Sequence, residues 1–246
     1  MGNLNMTIGI FQDLHANLPA LRKALDIFRE HQCSGIYHVG DLIGIGPYPR
    51  EVMELASSIP KMAFIMGNHD YWYAYGLPHP VPSYMSKEEV AHHSWTHQQL
   101  GETYRSSVQQ WSWVKNLSFS NGKKIVFQHY GLNEEKNWFQ ALIKKPGTRD
   151  LDRMFGKTQA DIIFYGHDHN ASDLIGNSRY TNLGSAGCFD KAEVRIGILK
   201  VTNDHLDLEK YSIPYEDGEL IRAFEERQVP ARAFIKRTFI VRNTED

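Results

Sequence analysis

Seven side chains able to ligate a metal through nitrogen or oxygen fall into five short clusters of this 246-residue sequence. They are Asp13 and His15 in QDLH, Asp41 in VGD, Asn68 in GNHD, His129 in QH, and His167 and His169 in GHDH. Residues i and i+2 of an extended backbone point to one side, so His167 and His169 can face the same centre. Imidazole, carboxylate and amide donors without thiolate suit Mn²⁺, Fe²⁺, Co²⁺, Ni²⁺ or Zn²⁺ better than Ca²⁺ or a soft-metal site. Seven ligands are too many for one ion and suit two, provided one carboxylate bridges. Two ions about 3.5–4 Å apart can bind both non-bridging oxygens of a phosphate and acidify a shared water. Any one of these residues alone would more often cap a turn than hold a metal. The set points to a dinuclear centre.

Something must bring the clusters together. Each follows a short apolar run: TIGIF (7–11), GIYHV (35–39), KMAFIM (61–66), KKIVFQ (123–128) and DIIFY (161–165). Runs of this length bounded by turn residues read as buried strands. Helical patterns over LPALRKALDIFREH (18–31) and REVMELASS (50–58) separate the first three, which implies parallel strands with crossovers. Asn17 is the expected N-cap of the first helix, with Pro19 in its first turn. In such sheets ligands collect beyond the carboxyl ends of the strands. Glycines before Asp41, Asn68 and His167 let the backbone bend in close.

Residues 71–117 read as a helical insertion. It opens on YWYAYG and a Pro-rich loop, and Ser86–Glu89 is a capping box for the helix EVAHHSWTHQQL. A second helical stretch runs through SSVQQWSWVKNL (106–117). From 118 the pattern is strand-rich. A hairpin turns at Asn121-Gly122, a Gly-Asn turn splits SDLIGNSRYTNL (172–183), and an antiparallel pair spans 193–213. EDGELIRAFEERQ (216–228) reads as a surface helix.

A net charge of −2 without a long Lys/Arg run argues against a grip on a nucleic-acid polymer, but a small phosphorylated ligand such as a nucleotide fits. Cys33 and Cys188 are too few for a disulfide framework or a thiolate zinc site and read as buried thiols in a reducing compartment. No signal-peptide pattern and no run of about 18 apolar residues is visible, so the expected location is cytoplasmic and off the membrane.

The succession D-x-H, GD, GNHD, a lone His and GHxH over residues 7–187 resembles the calcineurin-like metallophosphoesterase superfamily. The resemblance implies an α/β domain spanning 1–246, with two facing mixed sheets flanked by helices (a four-layer αββα sandwich) and 71–117 as a helical cap. It assigns Asp13, His15, Asp41 and His169 to one metal, and Asp41 (bridging), Asn68, His129 and His167 to the other. Two divalent ions follow, Mn²⁺ favoured, with Fe, Ni, Co or Zn as alternatives. His69 corresponds to the catalytic histidine that contacts the phosphate and protonates the leaving oxygen, and Asp70 to its orienter. GDLIGIGPYP lacks the Asp-Arg of the protein-phosphatase and symmetric dinucleoside tetraphosphatase branches and is similar to the small prokaryotic phosphodiesterase-type branch. QHYG and NLGSAG depart from that branch's HG and NPGS.

The function so implied is hydrolysis of a small phosphodiester or dinucleoside polyphosphate, by in-line attack of a metal-bridging hydroxide. Its rivals are a phosphomonoesterase, including a protein phosphatase, and a non-catalytic scaffold on the same fold. Tyr71, Trp72, Tyr73 and Tyr75 follow GNHD and either pack the insertion or stack on a nucleobase. Trp72 and Tyr75 are the candidate substrate contacts, with Asn17 a phosphate neighbour second to its capping role. His38 reads as a satisfied core histidine. His93 and His97 have HExxH spacing without its Glu and read as an exposed helix face, with a place on the rim of the pocket as the lesser alternative. Gly184, Ser185 and Gly187 read as a tight turn beside the site.

Overall fold

The structure, a computed structural model, describes residues 5–83, 85–203 and 205–240. β1 (Asn5–Phe11), α1 (Leu18–Glu30), β2 (Gly35–His38), α2 (Pro49–Ser58) and β3 (Met62–Phe64) form a run of parallel strands joined by helical crossovers. Three helices follow: α3 (Asn68–Tyr75), α4 (Lys87–Leu100) and α5 (Arg105–Val108). Next come β4 (Val114–Ser118), β5 (Lys124–Gln128), α6 (Thr148–Phe155), β6 (Ile162–Phe164), β7 (Ser172–Ile175) and β8 (Arg179–Asn182). β9 (Glu193–Thr202) and β10 (Leu206–Pro214) return to the first sheet, and α7 (Gly218–Glu226), α8 (Arg232–Ile235) and a π-helical turn (Lys236–Ile240) end the described chain. The sheets run β10-β9-β1-β2-β3 and β4-β5-β6-β8-β7, and both are mixed.

Strand alternation sets the layers. Ile8 and Ile10 of β1 meet Ile125 and Phe127 of β5 and Ile162 and Phe164 of β6 between the sheets. Tyr37 stacks on Phe127 there, with ring centroids 4.3 Å apart. On its other face the first sheet sends Phe11 against Leu21, Leu25 and Phe28 of α1. The second sheet sends Ile163 and Tyr165 outward against Leu151, Met154 and Phe155 of α6. Each Ile or Phe fully buried this way contributes about 1.5–3 kcal/mol. The result is the helix–sheet–sheet–helix sandwich that the motif pattern implied.

Several local expectations changed on folding. Residues 114–117 are not helical: they pair with β5 in the register Val114↔Gln128 to Leu117↔Ile125, so of the stretch 106–117 only Ser106–Val108, within α5, is helical. Ladder hydrogen bonds to a formed neighbour outweigh local helical periodicity. α7 is not merely a surface helix, because Leu220, Ala223 and Phe224 are buried in the core of the first sheet's outer face. Cys33 is half-buried and only Cys188 fully so. α6, α8 and the π-helical turn had no clear signal in the sequence. Among the described residues no helix is long and apolar enough to cross a membrane.

Candidate active site

Backbone hydrogen bonds tie the loop after β1 to that after β2 and the loop after β5 to that after β6, and the side chains of Asp41 and Asp70 tie in the loop after β3. Asp13 N donates to Gly40 O, His15 N to Asp41 O, and Gly166 N to His129 O. Their side chains then meet in two groups that share Asp41. In the first, His15 Nε2 and His169 Nε2 lie 2.9 Å apart, with Asp13 Oδ1 3.8 Å from His169 Nε2 and Asp41 Oδ2 3.9 Å from His15 Nε2. In the second, His129 Nε2 lies 3.4 Å from Asp41 Oδ2 and 3.2 Å from Asn68 Oδ1. His167 joins it, with donor atoms of Asp41, His129 and His167 all within 4.8 Å of one another.

The backbone is strained to achieve this. Asp13, His15, Asp41, His167 and His169 all take left-handed φ values, between 49° and 75°. Such residues cost about 1–3 kcal/mol each and persist where the surroundings over-determine them. Close approach also demands glycine: a Cβ on Gly40 would sit 2.3 Å from His129 Nδ1, and one on Gly67 2.2 Å from Asp41 Oδ1.

Burial and charge prepare these groups for a cation. Burial lowers His15 to about 4 and His167 and His169 to about 3, so their ring nitrogens are neutral and free to ligate. Burial would raise Asp41, but His129, His69 and His15 outweigh it and hold the carboxylate ionised. The same attraction overcomes the burial penalty on His129, which is raised and keeps its proton. Its Nδ1 donates to Val39 O at 2.9 Å, leaving Nε2 toward Asp41 and Asn68. Burial, aided by the neighbouring Asp41, lifts Asp13 to about 8. Asp13 and His129 thus retain protons that a divalent ion would displace. Two neutral imidazoles facing nitrogen to nitrogen at 2.9 Å are likewise satisfied together by one cation. The donor set fits divalent metal.

His69 opens α3, its N–H donating to Asp41 Oδ1 at 2.9 Å. Its ring centroid is 5.0 Å from that of His15, and its buried Nδ1 has no partner. A cleft of about 1050 Å³ opens over this ring. α4 lines it with Glu88, His92 and His93, and the segment from α8 onward with Phe234, Arg237 and Phe239.

Residues 6–204 match the calcineurin-like phosphoesterase superfamily domain. The chain belongs to that superfamily. An uncharacterised protein of Methanocaldococcus jannaschii is 25% identical over 162 residues, which cover 66% of this chain and 62% of the relative's length. The chain therefore spans less than two thirds of that curated relative. A hypothetical protein of Pyrococcus horikoshii superposes with a TM-score of 0.78 at 18% identity, covering 95% of this chain and 98% of its own. A metallophosphoesterase from Sphaerobacter thermophilus does so at 0.67 and 19%, covering 94% and 97%. These two share the fold. The cleft wall formed by α8 and the π-helical turn lies beyond the residues matched to the superfamily.

Other residues proved to have different work. Asp70 does not hydrogen-bond His69. Its carboxylate accepts from the backbone N–H groups of Asp41, Leu42, Ile43 and Gly67 at 2.8–3.4 Å, pinning the loop after β2 to the start of α3. Asn17 spends its side chain on structure, capping Ala20 N and donating to Gly187 O and Tyr215 Oη. Trp72 is buried between His69 and His93, with ring distances of 5.1 and 4.7 Å. Tyr75 is 49% exposed, donates to Gln109 O and does not line the cleft. His38 is buried beside Phe11, but neither ring nitrogen makes a well-formed hydrogen bond, and burial lowers it to about 3. His93 faces the cleft, 5.2 Å from the His69 ring, whereas His97 pairs outside it with Glu102. Ser185 and Gly187 brace the Asp13 loop, Ser185 Oγ donating to Asp13 O.

Asp70→Ala is expected to lower unfolding free energy by about 2–4 kcal/mol, because several buried N–H groups lose their acceptor. Urea denaturation checks this, and an unchanged midpoint would show that the loop holds without the carboxylate.

Proposed function

We propose that this chain is a dinuclear-metal-dependent phosphoesterase favouring a small phosphodiester or dinucleoside polyphosphate. The observation that carries the reading is the meeting of seven nitrogen and oxygen donors around a shared Asp41, with His69 on the wall of an open cleft. Asp13, His15, Asp41 and His169 would hold one ion; Asp41, Asn68, His129 and His167 would hold the other, with Mn²⁺ favoured. Bound there, two divalent ions supply Lewis-acid activation of water and neutralise charge gathering on the phosphoryl oxygens.

The protein's own residues do the rest. Asp41 keeps a full negative charge between the two ligand groups. His69 presents its ring to the cleft, where it can give a proton to the leaving oxygen. The cleft is larger than a simple phosphate monoester needs. Arg232 and Lys236 are both paired with Glu225, whereas Arg237 has no carboxylate partner among the described residues and can meet a second anionic group. Phe234, 53% exposed, and Phe239 offer apolar faces to a base or another ring.

Chelator-stripped protein is expected to lose turnover of bis-p-nitrophenyl phosphate and to regain it with Mn²⁺. kcat/KM for that diester should exceed the value for p-nitrophenyl phosphate by about tenfold or more, the worth of about 1.4 kcal/mol of added contact. Full turnover by metal-free protein would sink the reading. A preference for the monoester would move the chain to the phosphomonoesterases.

A further inference from the structure

We propose that Cys188 is a thiolate ligand of the ion held by His15 and His169, giving that centre a sulfur donor beside its nitrogens and oxygens. The proposal rests on the metal-dependent reading above. Cys188 is distant in sequence from both histidines, yet donor atoms of His15, His169 and Cys188 all lie within 4.8 Å of one another. The same closeness joins His15, Asp41 and His69, and Asp41, His129 and His167. His15 is 1% exposed; its Nε2 faces His169, and its Nδ1, in reach of the Ile43 backbone, makes no well-formed hydrogen bond. It is a buried polar ring poorly served by protein partners, within reach of the thiol.

The position of the thiol is tightly determined. Ala186 N donates to Gln12 O at 2.9 Å, Gly187 N to Asp13 O at 3.1 Å, and Ser185 N to His169 O at 3.4 Å. Ser185 Oγ donates to Asp13 O and accepts from Cys188 N at 2.7 Å. A Cβ on Gly187 would lie 1.7 Å from Leu14 O, so this loop is pressed directly onto the backbone between Asp13 and His15. Cys188 therefore cannot drift from the ligands.

Metal binding breaks the S–H bond, forms a sulfur–metal bond and releases the proton to solvent, with no redox change. A thiolate draws this one ion toward Zn²⁺, Co²⁺ or Fe²⁺, so the Mn²⁺ preference of the proposed function then applies to the ion held by Asp41, Asn68, His129 and His167. The competing role is that of a small apolar filler, since Cys188 also borders the core of the first sheet.

Cobalt separates the two. Full-length protein, stripped and reloaded with Co²⁺, is expected to show a thiolate-to-cobalt charge-transfer band in the near ultraviolet. The band should vanish in Cys188→Ser and Cys188→Ala and survive in Cys33→Ser, because Cys33 lies before β2, at the opposite end of that strand from the site. Zn²⁺ affinity relative to Mn²⁺ should fall by about tenfold or more in Cys188→Ser. If both Cys188 variants fail to fold, the wild-type and Cys33→Ser spectra still decide, since the chain has two cysteines. Bound cobalt without the band, or a band indifferent to Cys188, overturns the proposal. The band together with no phosphoester hydrolysis would overturn the function proposed above and leave this ligand standing.

Discussion

Asp41→Asn is expected to cut kcat/KM by more than about 100-fold and to prevent the protein from holding two ions at once. Its Oδ2 lies 3.9 Å from His15 Nε2 and 3.4 Å from His129 Nε2, so one oxygen faces the inward nitrogens of both ligand groups; Asp13 Oδ1 also lies 3.9 Å from His129, but from Nδ1, which Val39 O already engages. Losing an outer hydrogen-bond partner of a metal ligand costs about 10–100-fold, and losing a shared ligand should cost more. Asparagine presents an oxygen of similar shape but no charge. The raised, protonated His129 would then lack the carboxylate that sustains it, deep in the core. His169→Asn provides the contrast, because His169 touches only the first group. It should weaken one ion and spare the other. Metal content by emission spectroscopy, measured with kcat/KM on both variants, checks the pair. If Asp41→Asn retains two ions and most of its activity, Asp41 does not bridge.

The parts of this molecule legible in the sequence are those that local chemistry settles. Asn17 and Ser86 cap their helices because a side-chain oxygen three residues before an orphan N–H needs no tertiary help. Asn121-Gly122 turns a hairpin because Gly122 takes φ +82° without penalty. Unbroken apolar runs in β5 and β6 announce two covered faces, and the motifs at their ends mark where a ligand must sit. Features decided across the fold were not visible. Nothing in WSWVKNL shows that β5 will offer it a ladder. The GNHD motif makes Asp70 an orienter of its neighbour, yet the groups that claim it are backbone N–H donors of a distant loop. Helical spacing could not tell that His93 turns to the cleft while His97 does not. Cys188 and Arg237 carry no motif, and only tertiary packing brings them to the site.

His69→Ala should retain both ions while losing about 10²–10⁴-fold in kcat, the usual scale of acid–base assistance. The backbone N–H of His69 already serves Asp41, and that contact survives the substitution. The lost ring is the part that faces the cleft, where burial holds it well below the ordinary histidine range. A neutral imidazole must therefore take up a proton as substrate and ions assemble around it, or else assist only by a hydrogen bond. Leaving groups separate these roles. If the ring protonates the departing oxygen, a p-nitrophenolate ester should lose little in His69→Ala, because that anion leaves unaided, while an alkyl ester should lose the full factor. Equal losses would assign His69 to holding the phosphate. The third outcome comes from geometry: donor atoms of His69, His15 and Asp41 lie within 4.8 Å of one another, close enough for one ion. A variant that comes off the column short of one metal would make His69 a ligand and end its role as the acid.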